Sequence, residues 1–206
     1  SSYGTSSTTG TTTPSRAVEA RRERLALARA APYPAPMKHA HSRKAEFDFR
    51  WPAVPLNVVL VSPEIPPNTG NVARLCAATG TRLHLVEPLG FQITDAQLRR
   101  AGLDYWDAVQ VQVHPSWEVC RAALGAARIF LYSTGCSRRY DQVAYRPGDA
   151  LVFGCETKGL PDELLAAHAD SACGIPILTQ HVRSLNLSSA VAVVVYEALR
   201  QIDARG

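Results

Sequence analysis

The sequence predicts an α/β fold with a mostly parallel sheet and helices on both faces. Short apolar strand-like runs alternate with helix-patterned segments from residue 56 onward, the order that builds parallel sheets with crossover helices. The first run, 56–61, is apolar and β-branched between prolines, as a strand covered on both faces is. The last helical segment is apolar around most of its circumference, which buries it on more than one side.

In order along the chain, 56–61 reads as the first strand. Residues 71–79 read as a helix closed by Gly80, with Asn68 as a candidate cap. A strand at 82–86 comes next. Residues 94–101 read as a short helix capped by Thr94 and ended by Gly102. Residues 109–113 alternate as a strand does, and 116–127 form a helix capped by Ser116. Strands are expected at 128–133 and 150–153. The helix at 161–168 has Pro161 early and Asp162 and Glu163 in its first turn, where the helix dipole favours them. A strand at 172–177 and a helix at 187–201 complete the order. On that helix Leu187, Ala190, Val191, Val193, Val194, Val195, Ala198 and Leu199 spread around the axis. In a chain of this size the expected second cover is another copy of the chain, a homodimer.

Composition bounds the function. The 206 residues are 46% hydrophobic, enough for one domain with a sizeable core, and no run is long enough to span a membrane. Five scattered cysteines without a C-x-x-C pair argue against a zinc site and a disulfide framework, so no metal is expected and a cytoplasmic setting is. The net charge of +4 is uneven: residues 1–50 hold nine Lys/Arg and four Asp/Glu, the remainder thirteen and fourteen. The basic balance therefore belongs to an N-terminal arm, 1–50, ahead of a domain at 51–206. Residues 1–14 are nearly all Ser, Thr and Gly and cannot bury enough surface to order themselves. Residues 16–30 suit a short Arg-rich helix, and Pro32, Pro34 and Pro36 break any regular structure beyond it. Met37, the sole methionine, is a candidate natural start, with the preceding residues added by cloning or upstream translation. An RNA-binding arm and an organelle transit segment are the alternatives, and Glu19 and Glu23 count against the latter.

Neither G-x-G-x-x-G nor a P-loop is present, which disfavours a dinucleotide-binding enzyme; Gly70 and Gly80 read as turn and helix cap. Gly154-Cys155-Glu156-Thr157-Lys158-Gly159 sits at the C-terminal end of a strand, where open α/β sheets bind ligands. Gly154 would let a ligand approach the backbone. Glu156 could accept from a sugar, a helix terminus or an arginine, or serve as a capping anion. Arg183-Ser184-Leu185-Asn186-Leu187-Ser188 places Ser and Asn before a helix, as ordinary caps, but Arg183 and the rigid Ile175-Pro176-Ile177 could complete a pocket wall. Arg74, one turn into the expected helix, lies near its positive end, where a phosphate would offset the unfavourable dipole; a solvated Arg is the alternative. No Ser-His-Asp order matches a catalytic triad, and each histidine reads as structural or solvated.

In this order the motifs resemble the TrmH-like 2′-O-methyltransferases of the SPOUT superfamily. The resemblance rests on Pro63-Glu64-Ile65-Pro66-Pro67-Asn68-Thr69-Gly70-Asn71 with Arg74, on Glu87-Pro88-Leu89-Gly90-Phe91, on Leu98-Arg99-Arg100-Ala101-Gly102-Leu103-Asp104-Tyr105, on 152–161 and on Asn186-Leu187-Ser188 with Val193-Val194-Val195-Tyr196-Glu197-Ala198. It covers roughly 56–201 and is densest with the small single-domain enzymes that modify the wobble ribose of tRNA. It implies a C-terminal trefoil knot, which no rule of pattern would predict, and a homodimer. It further implies S-adenosyl-L-methionine as cofactor and the tRNA anticodon loop, at cytidine or uridine 34, as substrate. The positions of the family's catalytic set fall on Asn68, Arg74, Glu156, Ser184 and Asn186. Cofactor contacts fall on Tyr132, Phe153, Gly154, Ile175, Ile177, Ser184 and Leu185. Two departures bear on loop shape: Cys155 stands where the subfamily usually has proline, and Thr179-Gln180-His181-Val182 replaces the usual acidic or polar lead-in to Arg183. The implied chemistry is displacement at the methyl carbon of a sulfonium by a ribose 2′-oxygen, which needs alignment and the management of one proton. Methylation of ribosomal RNA or another tRNA position, and a non-catalytic RNA-binding or assembly protein that kept the fold, are the alternatives.

Overall fold

Strands β1 (Asn57–Val61), β2 (Arg82–Val86), β3 (Val111–His114), β4 (Ile129–Tyr132), β5 (Ala150–Phe153) and β6 (Ala172–Cys173) form one sheet in the order β3-β2-β1-β5-β4-β6. Every pairing is parallel. The computed structural model describes residues 47–92, 109–179 and 181–204, all within the unit Ala40–Gly206. The helix expected at 94–101, the motif at 98–105 and the arm up to residue 46 lie outside the described residues. Helices α1 (Pro66–Thr79), α2 (Trp117–Leu124), α3 (Asp162–Ala167) and α4 (Leu187–Asp203) connect or follow the strands.

The period of two along each strand sorts the core onto two faces. Val58, Leu60, Leu83, Leu85, Leu151 and Phe153 pack with Val72 and Cys76 of α1 and with Val191, Val194, Val195 and Leu199 of α4. Val59, Val61, Val86, Leu131 and Val152 pack with Cys120 of α2 and Leu164 of α3. The middle strands are thus covered on both sides, which explains their unbroken apolar runs. The chain leaves β1 toward β2 and leaves β5 toward β6, in opposite directions along the sheet. That divergence opens a crevice beyond the C-terminal ends of β1 and β5, the place where such sheets hold ligands.

Helix α1 starts five residues before the expected position. Its first residues are Pro66 and Pro67, and Ile65 is the N-cap, without a side-chain cap bond; prolines at a helix start lose no hydrogen bond. Asn68 therefore lies inside the first turn and is no cap, and Gly70 is buried in the helix, not in a turn. Arg74 is in the third turn, outside the reach of the dipole end. The helix does end at Gly80, with φ 67°. Strand β6 stops at Cys173, because Gly174 instead bridges Arg139 and Pro176 has no N–H to donate. Ser116 caps α2 by accepting from Val119 N–H at 3.4 Å. Along α4 one face is buried within the chain, whereas Val193 and Tyr196 are 38% and 52% exposed.

Under the β2–β3 edge a polar chain is sealed in. Asn57 Nδ2 donates to the Gly148 carbonyl at 2.9 Å, and Asn57 Oδ1 faces His84 Nε2 at 3.3 Å. His84 Nδ1 in turn meets His114 Nε2 at 3.0 Å. Burial, followed by the neighbouring His114 and Arg82, lowers the His84 pKa to about 3; burial also lowers that of His114. Both imidazoles are neutral at ordinary pH. Among the described residues, no helix is long and apolar enough to cross a membrane.

Candidate active site at the ends of β1, β4 and β5

A cavity of about 450 Å³ opens at the crevice, within the range of small-molecule sites. Its apolar wall is built by Tyr132 at the end of β4 and Phe153 at the end of β5. Their rings stack at 4.7 Å with an interplanar angle of 15°. Tyr132 is fixed from behind: its hydroxyl lies 2.8 Å from that of Tyr145, which donates to the Tyr140 carbonyl at 2.7 Å. Tyr132 therefore donates to Tyr145. Burial, reinforced by Tyr145, raises the Tyr132 pKa well above its ordinary value, so it serves here as a neutral wall.

The polar wall is a relay between three segments distant in sequence. Glu156, just after β5, accepts from Glu64 N–H at 2.8 Å, Ile65 N–H at 3.3 Å and Asn68 Nδ2 at 2.9 Å. It thereby supplies the polar partner that the N-terminus of α1 lacks in its own sequence. Of the readings open for Glu156, the helix terminus is the one observed. Asn68 Oδ1 accepts from Asn186 Nδ2 at 2.9 Å. Asn186 Oδ1 then caps α4 through Ser188 N–H at 2.9 Å and Ser189 N–H at 3.4 Å. A carboxylate and two amides thus lock the starts of α1 and α4 to the turn after β5.

That turn is closed on itself. Cys155 N–H donates to Gly159 O at 3.2 Å, and Gly159 N–H to Cys155 O at 3.0 Å; the first bond needs an N–H that proline lacks. Gly154 is required for a reason other than ligand space. A Cβ there would sit 2.0 Å from the Gly159 carbonyl carbon and 2.1 Å from Leu160 N. Glu64 answers Glu156 by accepting from Thr157 Oγ1 at 2.9 Å and Thr157 N–H at 3.2 Å. Gly90, after β2, lets its loop rest on the Glu64 backbone, where a Cβ would approach to 2.7 Å.

Tyr132, Phe153, Gly154, Ile175, Ile177, Ser184 and Leu185 all line this one cavity, together with Asn68, Glu156 and Asn186. Arg74 does not line it; the residue is on the exposed face of α1, about 9 Å along the axis from Asn68. Reading the sequence missed Ser133 and Thr134, which also line the cavity; their signal is their place directly after a parallel strand. It also gave no role to Glu64 and Thr157, whose interaction needs the β1–β5 pairing to be known.

The chain matches the SpoU rRNA Methylase family over residues 55–196. It is 52% identical over 151 residues to the tRNA (cytidine(34)-2′-O)-methyltransferase of Methylovorus glucosotrophus, covering 73% of this chain and 97% of that protein. A solved structure described as giving insights into 2-OH methylation of C/U34 on tRNA is 47% identical, with a TM-score of 0.67, and the match covers 71% of this chain and 95% of that one. An AdoMet-bound rRNA methyltransferase from Sinorhizobium meliloti is 26% identical with a TM-score of 0.63, covering 71% and 56% of the two chains.

Proposed function

The chain belongs to the SpoU rRNA methylase family, and we propose that it transfers a methyl group from S-adenosyl-L-methionine to the ribose 2′-oxygen of nucleotide 34, a cytidine or uridine, in tRNA. The observation that carries the reading is the convergence of Asn68, Glu156 and Asn186, by hydrogen bonds, on the cavity that Tyr132, Phe153 and Gly154 enclose. The relative named for cytidine 34 is twice as similar to the chain as the rRNA enzyme, which favours tRNA over ribosomal RNA.

The cavity suits the cofactor by its chemistry: flat apolar rings on one side for a base, and serine, amide and backbone groups on the other for polar parts. When bound, S-adenosyl-L-methionine supplies a methyl group already activated on a sulfonium. Tyr132, Phe153, Ile175, Ile177 and Leu185 would hold the adenosine and exclude water. Ser184 and the backbone at Gly154 would fix polar groups. The Glu156–Asn68–Asn186 relay would keep the three segments in register, so that alignment is set before the RNA arrives. Arg74, on the outer face of α1, would face the RNA and hold a phosphate or the developing alkoxide. It would not serve as the base, because a guanidinium stays protonated in proteins. We place the chain in the cytoplasm as a knotted homodimer, with the exposed Val193 and Tyr196 of α4 in the interface, and residues 51–206 as the catalytic domain behind an N-terminal arm.

The test is methylation of total tRNA by the purified chain, with the modified ribose mapped. Methyl on a ribose other than that of nucleotide 34, or on ribosomal RNA alone, would reject the assignment of substrate. Cofactor binding without transfer to any RNA would reject the enzyme reading. Arg74→Ala should lower transfer at least about 100-fold, the scale of one lost charge-stabilising donor, with cofactor affinity unchanged. Arg74→Lys should recover little, because a point charge cannot reproduce a bidentate fork.

A further inference from the structure

The β2–β3 edge carries three metal-type donors that the proposed chemistry does not use. His84 on β2, His114 at the end of β3 and Cys120 on α2 each offer one ligand atom, and these atoms lie within 4.8 Å of one another. The residues are 3%, 5% and 0% exposed. Strands β2 and β3 and helix α2 bring them together on the same face of the sheet. The expectation that every histidine is merely structural or solvated took no account of this, since 84, 114 and 120 form no recognisable spacing.

The polar chain fixes which lone pairs point inward. Asn57 Nδ2 is committed to the Gly148 carbonyl, so Asn57 Oδ1 must accept from His84 Nε2–H. His84 Nδ1 is then the bare nitrogen, and it faces His114 Nε2 at 3.0 Å. Metal-binding histidines likewise have the far ring N–H held by an amide or carboxylate oxygen; here the near nitrogen of His84 accepts from His114 Nε2–H, the proton an incoming ion would displace. The two imidazole planes lie within 17° of each other with centroids 5.3 Å apart, so the rings meet end to end, and an ion held by both near nitrogens and the Cys120 sulfur would replace the hydrogen bond between the rings and turn both toward itself.

Net charge selects the ion. In so dry a place an unbalanced charge is expensive. Two neutral imidazoles and one thiolate total −1, which a monovalent ion cancels and a divalent one overshoots. Thiolate and imidazole also suit a soft ion with low coordination number. We propose that His84, His114 and Cys120 form a three-coordinate site for one thiophilic monovalent ion of the Cu⁺ class. On binding, the Cys120 S–H proton leaves to solvent as the sulfur–metal bond forms. The His114 proton moves from Nε2 to Nδ1, and one positive charge replaces another. Nothing is oxidised or reduced. The ion would cross-link β2, β3 and α2 and add its binding energy to their stability.

The test uses the full chain with Cys136→Ser and Cys155→Ser, which removes the two half-buried thiols. Cu⁺ is titrated anaerobically against a coloured competitor, with Zn²⁺ as the second arm. One equivalent of Cu⁺ should bind, X-ray absorption should give two nitrogens and one sulfur, and the melting temperature should rise. Cys120→Ala in that background should weaken binding by more than the roughly 10- to 100-fold that loss of an outer-shell partner costs. If Cys120→Ala does not fold, His114→Gln carries the same expectation, and the ligand set from absorption decides independently of either variant. Absence of stoichiometric binding, equal Cu⁺ affinity in the variants, or tighter binding of Zn²⁺ than Cu⁺ would each overturn the proposal.

Discussion

The turn after β5 and the segment after β6 both line the cavity, but their polar groups are treated differently. In the turn, Glu156 has three donors, Thr157 is tied to Glu64 and Cys155 to Gly159. Among the described residues of 175–186, hydrogen bonds run from His181 N–H to Thr179 and gather at Asn186. Leu178 there is fully exposed, and Val182 and Leu185 are half-exposed. The first wall is made by the chain alone; the second presents apolar side chains that want a cover. In the proposed dimer, cofactor and partner would each cover part of the second wall.

Gly154→Ala is the strongest way to break this contrast. Its Cβ would collide with the Gly159–Leu160 backbone, which no side-chain rotation relieves, so a cost of about 3 kcal/mol or more is expected, together with loss of cofactor binding. Denaturant unfolding and calorimetric titration measure the two. A variant of normal stability with only weakened cofactor affinity would show that ligand space, not loop closure, explains the glycine.

Asn68→Ala tests the relay, with a smaller effect. It removes one of the three donors to Glu156 and the acceptor for Asn186 Nδ2, a loss of about 1–3 kcal/mol in a buried network. Asn68→Asp should be worse than Ala in unfolding experiments, because it sets a second carboxylate beside Glu156. A double-mutant cycle of Asn68→Ala with Asn186→Ala should show coupling; additive losses would mean that the two amides act separately.

The same contrast explains what could be read from the sequence. Strands β2 and β5 fall on 82–86 and 150–153 as expected, and α4 starts at Leu187, because apolar run length and an Asn cap are local signals. The start of α1 was hidden, since its capping anion, Glu156, is 88 residues from Asn68 and no local cap residue marks it. For the same reason Arg74 was placed at the positive end of a helix that begins five residues earlier. The circumferential apolar pattern of α4 was visible, but the division between the buried face of Val194 and the exposed face of Val193 and Tyr196 required the packing. The members of the cavity were legible through family resemblance; the hydrogen bonds that join them were not.

The smallest effect on the protomer, and the most direct probe of the uncovered side, is expected from Tyr196→Glu. The residue is 52% exposed on α4, so a carboxylate there should change protomer stability by no more than about 0.5 kcal/mol. In the proposed interface it would be desolvated and unpaired, and the dimer should dissociate. Val194→Glu, two residues earlier and fully buried within the chain, should instead unfold the protomer and says nothing about assembly. Sedimentation velocity of Tyr196→Glu beside the wild type, with thermal unfolding of both, separates the outcomes. A wild-type dimer that persists in the variant would move the interface away from the outer face of α4. A variant that melts far below the wild type would mean that Tyr196 supports its own chain, and the division between a self-sufficient wall and a partner-dependent one would have to be redrawn.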